Sequence, residues 1–195
     1  MHNPDKTEIC MNNKKLLAIA VTAGVSAAAA IILYNSLKVS VPRGARAVSP
    51  FDVRRYLGTW FEIARLDNKF ERHLTNVTAT YSFNEDGELE VANKGFSPEK
   101  QLWREATGIA KFVEAPDVAR LKVSFFGPFY AGYTVIDIDE HYKHALVAGN
   151  NRKYLWILSR TTTIPALIKK RFLEKAEALG YDTDALIWTK HDLYA

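Results

Sequence analysis

From Thr59 to Arg160 apolar and polar positions alternate in short runs, with turn-forming residues between them. The runs are 59–66, 76–83, 88–96, 103–113, 119–126, 132–139, 143–149 and 153–160. A two-residue period places successive side chains on opposite faces of a strand. The breaks include Asn84-Glu85-Asp86-Gly87, Ala115-Pro116-Asp117, Gly127-Pro128 and Asn150-Asn151, residues that supply the fixed or positive φ of tight turns. Eight strands with short connections imply antiparallel neighbours, and closure into an up-and-down barrel removes both sheet edges. The pattern therefore predicts an all-β chain, an eight-stranded antiparallel up-and-down β-barrel, in preference to a β-sandwich. After Arg160 the period lengthens. Ile164, Leu167, Ile168, Phe172, Ala176 and Leu179 form one helical face, with Thr162 or Thr163 as cap, Pro165 in the first turn and Gly180 at the end. This C-terminal α-helix is expected to pack outside the barrel, followed by a short ninth strand over 185–190.

An eight-stranded barrel has an interior wide enough for one small ligand. In "YLWILSR" alternation sets Tyr154, Trp156, Leu158 and Arg160 on one face and Leu155 and Ile157 on the other. Both faces are apolar, as a strand needs when it lines a cavity inside and carries a helix outside. Phe125, Phe126, Phe129, Tyr130 and Tyr133 cluster around Gly127-Pro128. Strand aromatics are commonly plain core, but this concentration at one turn points to a pocket rim that Phe70 and Trp103 would complete. Glu62 shares the Trp60 face, so it is expected to point inward, satisfied by Arg160 or a neighbour.

Composition narrows the chemistry. The 195 residues carry a net charge of +4, of which residues 1–42 hold +2 and the rest +2, with 22 basic against 20 acidic groups. Charges so mixed describe a solvated surface and no nucleic-acid footprint. The single cysteine, Cys10, lies before the strands, so the domain has no disulfide and no thiol nucleophile. The 22 uncharged residues 16–37 follow Lys14-Lys15. As a helix they would span roughly 33 Å, a bilayer's hydrocarbon thickness. The flanking lysines orient residues 1–15 to the cytoplasm, with Met11 an alternative start that would make the residues before it a non-native extension. The run Ala27–Ala30 offers a signal cleavage site, but Ile31, Ile32 and Leu33 prolong the apolar segment and favour an uncleaved anchor. Residues 38–50 read as a linker, and 51–195 as the domain.

The segments "FDVRRYLGTWFEIAR", "NVTATYS", "NKGF", "LKVSFFGPFY" and "YLWILSR", in this order, resemble the lipocalin family. The likeness is to its bacterial outer-membrane lipoprotein branch and to the apolipoprotein D group, and it covers about residues 42–190. The resemblance implies a barrel closed at one end by Trp60 and Arg160, a structural pair, with Asp139 and Tyr142 in the second family region. It implies that the barrel holds a lysophospholipid or fatty acid, in cell-envelope maintenance or stress response, with Tyr130 and Trp156 at the family's ligand-contact positions. Phe125, Phe129, Tyr154, Trp103 and Phe70 complete the expected ligand-binding set. The bacterial relatives carry a lipid-modified Cys after the apolar run. Here no Cys follows it, so attachment through the N-terminal hydrophobic helix is expected, with the domain facing the periplasm; the leader implies an inner-membrane anchor and the family resemblance the outer membrane.

Other chemistries are poorly supported. A tetrapyrrole or sterol-like ligand remains an alternative, since an aromatic cavity accepts flat molecules. A lipid-modifying enzyme lacks a Gly-x-Ser-x-Gly elbow, and no cofactor is implied. His141 and His144 flank a turn without further ligands at metal spacing and read as solvated. Asn76-Val77-Thr78 fits a glycosylation sequon incidentally. Lys169-Lys170-Arg171 reads as a solvated helix face. A homodimer is left open.

Overall fold

The computed structural model of the chain describes residues 39–68 and 71–193. The apolar run 16–37 lies outside the described residues, among which no helix is long and apolar enough to cross a membrane. Residues Val39–Ala195 form one compact unit.

Eight strands close the barrel: β1 (Gly58–Leu66), β2 (Thr75–Phe83), β3 (Leu89–Ser97), β4 (Leu102–Phe112), β5 (Arg120–Phe126), β6 (Phe129–Ile138), β7 (His144–Ala148) and β8 (Leu155–Ser159). Each pairs antiparallel with its sequence neighbour, and β1 pairs with both β2 and β8. A short helix, α1 (Val53–Tyr56), precedes β1; α2 (Ala166–Ala178) follows β8, and β9 (Leu186–Trp188) adds to the upper half of β1. The β6 strand begins three residues earlier than its alternation suggested. The connection is only Gly127-Pro128, so Phe126 and Phe129 already face each other across the ladder.

The two faces of the wall bury two separate cores. Trp60, Tyr81, Val91, Val123, Val135 and Leu158 belong to the core inside the barrel. Ile63, Ile136, Leu146, Leu155, Ile157, Phe172 and Ala176 form the second core between wall and α2. The split of Trp156 and Leu158 from Leu155 and Ile157 follows the expected alternation. Asp137 on the wall adds ion pairs to Arg171 and Lys175 of α2, at 3.2 and 3.1 Å.

Three expectations for α2 are corrected. Neither Thr162 nor Thr163 caps it: Pro165 takes the cap position without a side-chain bond, and its carbonyl accepts from Lys169 N–H at 2.9 Å. Pro165 therefore precedes the first turn instead of lying within it. Leu167 is 78% exposed, because it lies five residues before Phe172, about 140° around the helix. The C-terminus is as expected, since Gly180 adopts φ +79° while Gly180 N–H and Tyr181 N–H donate to the Glu177 and Ala176 carbonyls.

The segment read as a linker is bound to the barrel from residue 39 onward. Val48 N–H donates to Val135 O and Val48 O accepts from Ala119 N–H, both at 2.9 Å, while Ser40 Oγ donates to Asn150 O at 2.6 Å. Residues 39–193 contain two hydrophobic cores and a closed sheet, as an independently folding domain does.

Candidate ligand-binding site

One end of the barrel is plugged. Gly58 enters β1 at φ +89°, and a Cβ there would stand 3.4 Å from Arg160 Nη1. The guanidinium of Arg160 lies 3.8 Å above the Trp60 ring. It donates to the carbonyls of Thr59 at 2.9 Å, Arg55 at 3.0 Å and Tyr56 at 3.1 Å. Trp60 is fully buried, and its indole N–H donates to Tyr56 O at 2.8 Å. Asp139 accepts from the N–H groups of Lys143 and His144; against the cost of burial, these bonds hold its carboxyl low. Tyr142 Oη accepts from Asp52 N–H at 2.9 Å. Above the plug Tyr56 and Tyr133 share a hydroxyl bond of 2.6 Å, and burial raises both phenols.

Beyond Tyr133 the interior opens into a cavity of about 110 Å³, with Tyr81, Val91, Val123, Phe125, Trp156 and Leu158 in its walls. Phe125 reaches its place because β4 carries Gly108 beside it. A Cβ at Gly108 would meet Ser124 O at 2.7 Å and the Phe125 ring at 2.9 Å. Its polar lining includes two carboxylates, Glu62 and Glu71, with Thr78 and Asn93.

Arg65 joins these carboxylates through a bulge. Glu62 pairs with Leu158 and Ala64 with Ile157, so one extra residue in β1 reverses the alternation and turns Arg65 onto the inner face opposite Trp156. Arg65 is 1% exposed and donates through Nη1 to Glu62 Oε1 and, at 3.2 Å, to Thr189 Oγ1. Its Nη2 donates to the carbonyls of Glu71 at 2.7 Å and Leu74 at 3.3 Å. Thr189 Oγ1 donates to Glu62 Oε1 at 2.6 Å. The Trp156 indole donates to Glu71 Oε2 at 2.9 Å, and Asn68 Nδ2 to the same oxygen at 2.6 Å. Burial, and next the Glu71 charge, push the Glu62 carboxyl up to about 7, against the pull of Arg65 and Thr189.

The expected site residues are only partly gathered. Trp156 and Phe125 line the cavity, and Tyr154 stacks on Trp156 with centroids 6.1 Å apart without joining the lining. Tyr130 stands apart from the cavity lining, half-buried on β6 beneath Lys122 with the ammonium 4.7 Å from its ring. Phe129 is 65% exposed at the hairpin tip; Trp103 packs edge-on against Phe96 at 5.5 Å under Lys94. Phe70 lies outside the described residues. Glu62 points inward as its parity requires, but its partner is Arg65 and not Arg160. Sequence reasoning missed Glu71 and Arg65, the first in a connecting segment and the second displaced by the bulge.

No group of three metal-binding side chains occurs among the described residues; His144 Nδ1 stands 3.5 Å from Asp139. Asn76 of the sequon is fully buried, bonded to Asp192 and to Leu193 N–H at 2.9 Å each.

A closed eight-stranded barrel with an outer helix, a plugged end and an internal cavity defines a calyx-type binding fold. Residues 51–191 match the lipocalin-like domain family, and the chain belongs to the lipocalins. It is 51% identical over 165 residues to the outer membrane lipoprotein Blc of Escherichia coli K12, spanning 85% of this chain and 93% of that protein. Mouse apolipoprotein D is 34% identical over 124 residues, 59% of this chain and 64% of its own length. Among solved structures, insecticyanin of the tobacco hornworm Manduca sexta superposes with a TM-score of 0.63 at 19% identity, covering 78% of this chain and 87% of that one, a likeness of fold alone.

Proposed function

We propose that this lipocalin is a binding protein that holds one single-chain lipid, a lysophospholipid or a fatty acid, in the barrel cavity. The observation that carries the reading is the cavity itself: an apolar chamber of about 110 Å³ above a sealed end, with the Trp156 indole in its wall. Its lining is largely apolar, with Val91, Val123, Phe125, Trp156 and Leu158 offering the surface to which an alkyl chain transfers favourably from water. Binding in preference to turnover is supported by the two cavity carboxylates being engaged by Arg65, Thr189, Asn68 and the Trp156 indole.

The apolar run 16–37 and the outer-membrane relative both support attachment to the cell envelope, with the barrel on the periplasmic side. The uncleaved run would serve as the anchor in place of an acylated cysteine, and a role in envelope maintenance follows from that position. Native mass spectrometry of residues 39–195, purified without detergent, tests the ligand. A co-purified mass equal to a lysophospholipid or fatty acid is expected; a bound pigment or sterol, or an empty barrel that no such lipid fills, would overturn the reading.

A further inference from the structure

The β5–β6 hairpin leaves two large aromatic side chains in solvent. Phe126 is 76% exposed and Phe129 65%, and they face each other across the ladder on either side of Gly127-Pro128. Their tip stands at the mouth of the barrel. β6 ends at Ile138, beside the plug residues Asp139 and Tyr142, so its first residue, Phe129, lies at the opposite end. Behind the tip the side chains change character. Tyr130 is half-buried with the Lys122 ammonium 4.7 Å from its ring, whereas Phe125, next to Phe126, lines the cavity. The hairpin thus passes from bare phenyl rings, through a phenol and an ammonium, into the cavity wall.

The segment before α1 comes to the same end of the barrel. Ser40 Oγ donates to Asn150 O at 2.6 Å, and Asn150 Oδ1 accepts from Gly132 N–H at 2.8 Å. A Cβ at Gly132 would stand 3.0 Å from Ser40 O, so the missing side chain is what lets the segment lie against β6. From Gly132 to Phe129 is roughly 10 Å along a strand. From Ser40 back to Leu37, the last residue of the apolar run, the chain reaches at most roughly 11 Å. An apolar run seated in a bilayer therefore keeps Ser40, and with it the barrel mouth, close to the membrane surface.

We propose that the barrel docks mouth-first on the lipid bilayer, with Phe126 and Phe129 inserted and Tyr130 and Lys122 at the level of the headgroups. A single-chain lipid then passes from the membrane into the cavity along Phe125 without crossing water. The inference rests on the reading that the run 16–37 attaches the chain to the envelope. Phenyl rings transfer favourably from water into hydrocarbon. A phenol suits the interface, where its ring is apolar and its hydroxyl wet, and a lysine stem lies along apolar surface while its ammonium meets anionic headgroups. A protein partner fits this tip less well. The two rings offer on the order of 300 Å², short of the roughly 800 Å² that each partner buries in a stable complex. A bilayer requires no matching shape.

The test uses the full chain carrying Cys10→Ser and one labelling site, either Phe126→Cys at the mouth or Glu140→Cys in the exposed turn at the plugged end. Each is labelled with the environment-sensitive dye NBD and reconstituted into vesicles of phosphatidylethanolamine and phosphatidylglycerol. Emission from position 126 is expected to shift to the blue and to fall about twofold when the acyl chains are brominated, while position 140 stays unquenched. Equal quenching at the two positions overturns the docking. A blue shift at 126 without bromolipid quenching buries the tip against protein, a second copy included, and overturns it as well. A chain that does not float with the vesicles sinks the attachment reading and this inference together. A chain that floats while its label at 126 stays in water sinks the inference alone.

Discussion

Arg160 and Trp60 meet at the end of β8 and the start of β1, with the guanidinium 3.8 Å over the indole and its N–H groups on the carbonyls of Arg55, Tyr56 and Thr59. One side chain thus closes the barrel seam, caps α1 and covers the aromatic floor. Truncating the buried indole, Trp60→Ala, should cost about 3–5 kcal/mol in urea unfolding. Arg160→Lys keeps the charge but lacks the planar fork, and should cost about 1–3 kcal/mol. An Arg160→Lys variant as stable as wild type would show that the contact is incidental.

Glu62 links stability to pH. Its carboxyl is raised in the fold from an ordinary 4.5 to about 7, so between those values the native state binds more protons than the unfolded chain. Its contribution is complete below about 4.5 and is lost as pH rises through about 7. Glu62→Gln stays uncharged, so the variant should gain on wild type as pH increases from 5 to 8, read as the difference in unfolding midpoints. A difference that is flat over that range, or of opposite sign, would contradict the environment described for Glu62.

The outer helix is held by packing more than by charge. Phe172 is fully buried in the second core, whereas the Asp137 pairs join half-exposed cations. Phe172→Ala should cost about 3–5 kcal/mol and Asp137→Asn under about 1 kcal/mol. Calorimetric melting of both variants checks the order, and Asp137→Asn being the more damaging would reverse it.

Gly108 tests the close approach of β4 to β5. A methyl group there would press on Ser124 O and the Phe125 ring, so Gly108→Ala should displace Phe125, lower the melting temperature and weaken binding of any ligand in the cavity. Full stability with unaltered ligand affinity would remove Phe125 from the site.

Much of this was legible in the chain. Alternation located the eight strands, and the two apolar faces of "YLWILSR" already separated a cavity wall from a helix bed. The failures have specific causes. Period-two reasoning assigns Arg65 to the outer face, and only the bulge at Glu62–Ala64 turns it inward. Tyr130 lies on a strand, because β6 runs back to Phe129 beside the Gly127-Pro128 turn, and its ring stands under Lys122. Glu71 sits in a segment with no periodicity, and its role comes from Trp156 and Asn68, partners that no local pattern announces. The plug needed only Gly58, Trp60 and a cation at the end of the last strand, which is why the sequence displayed it plainly.

The most direct test is a titration of residues 39–195 with a lysophospholipid, followed by tryptophan fluorescence and repeated on Trp156→Phe. Saturable quenching at one lipid per chain is expected in the wild type, with the signal largely lost in the variant while the folded far-UV spectrum persists. Absence of any saturable signal in the wild type, or an identical signal from Trp156→Phe, would contradict a ligand seated against Trp156 in the barrel.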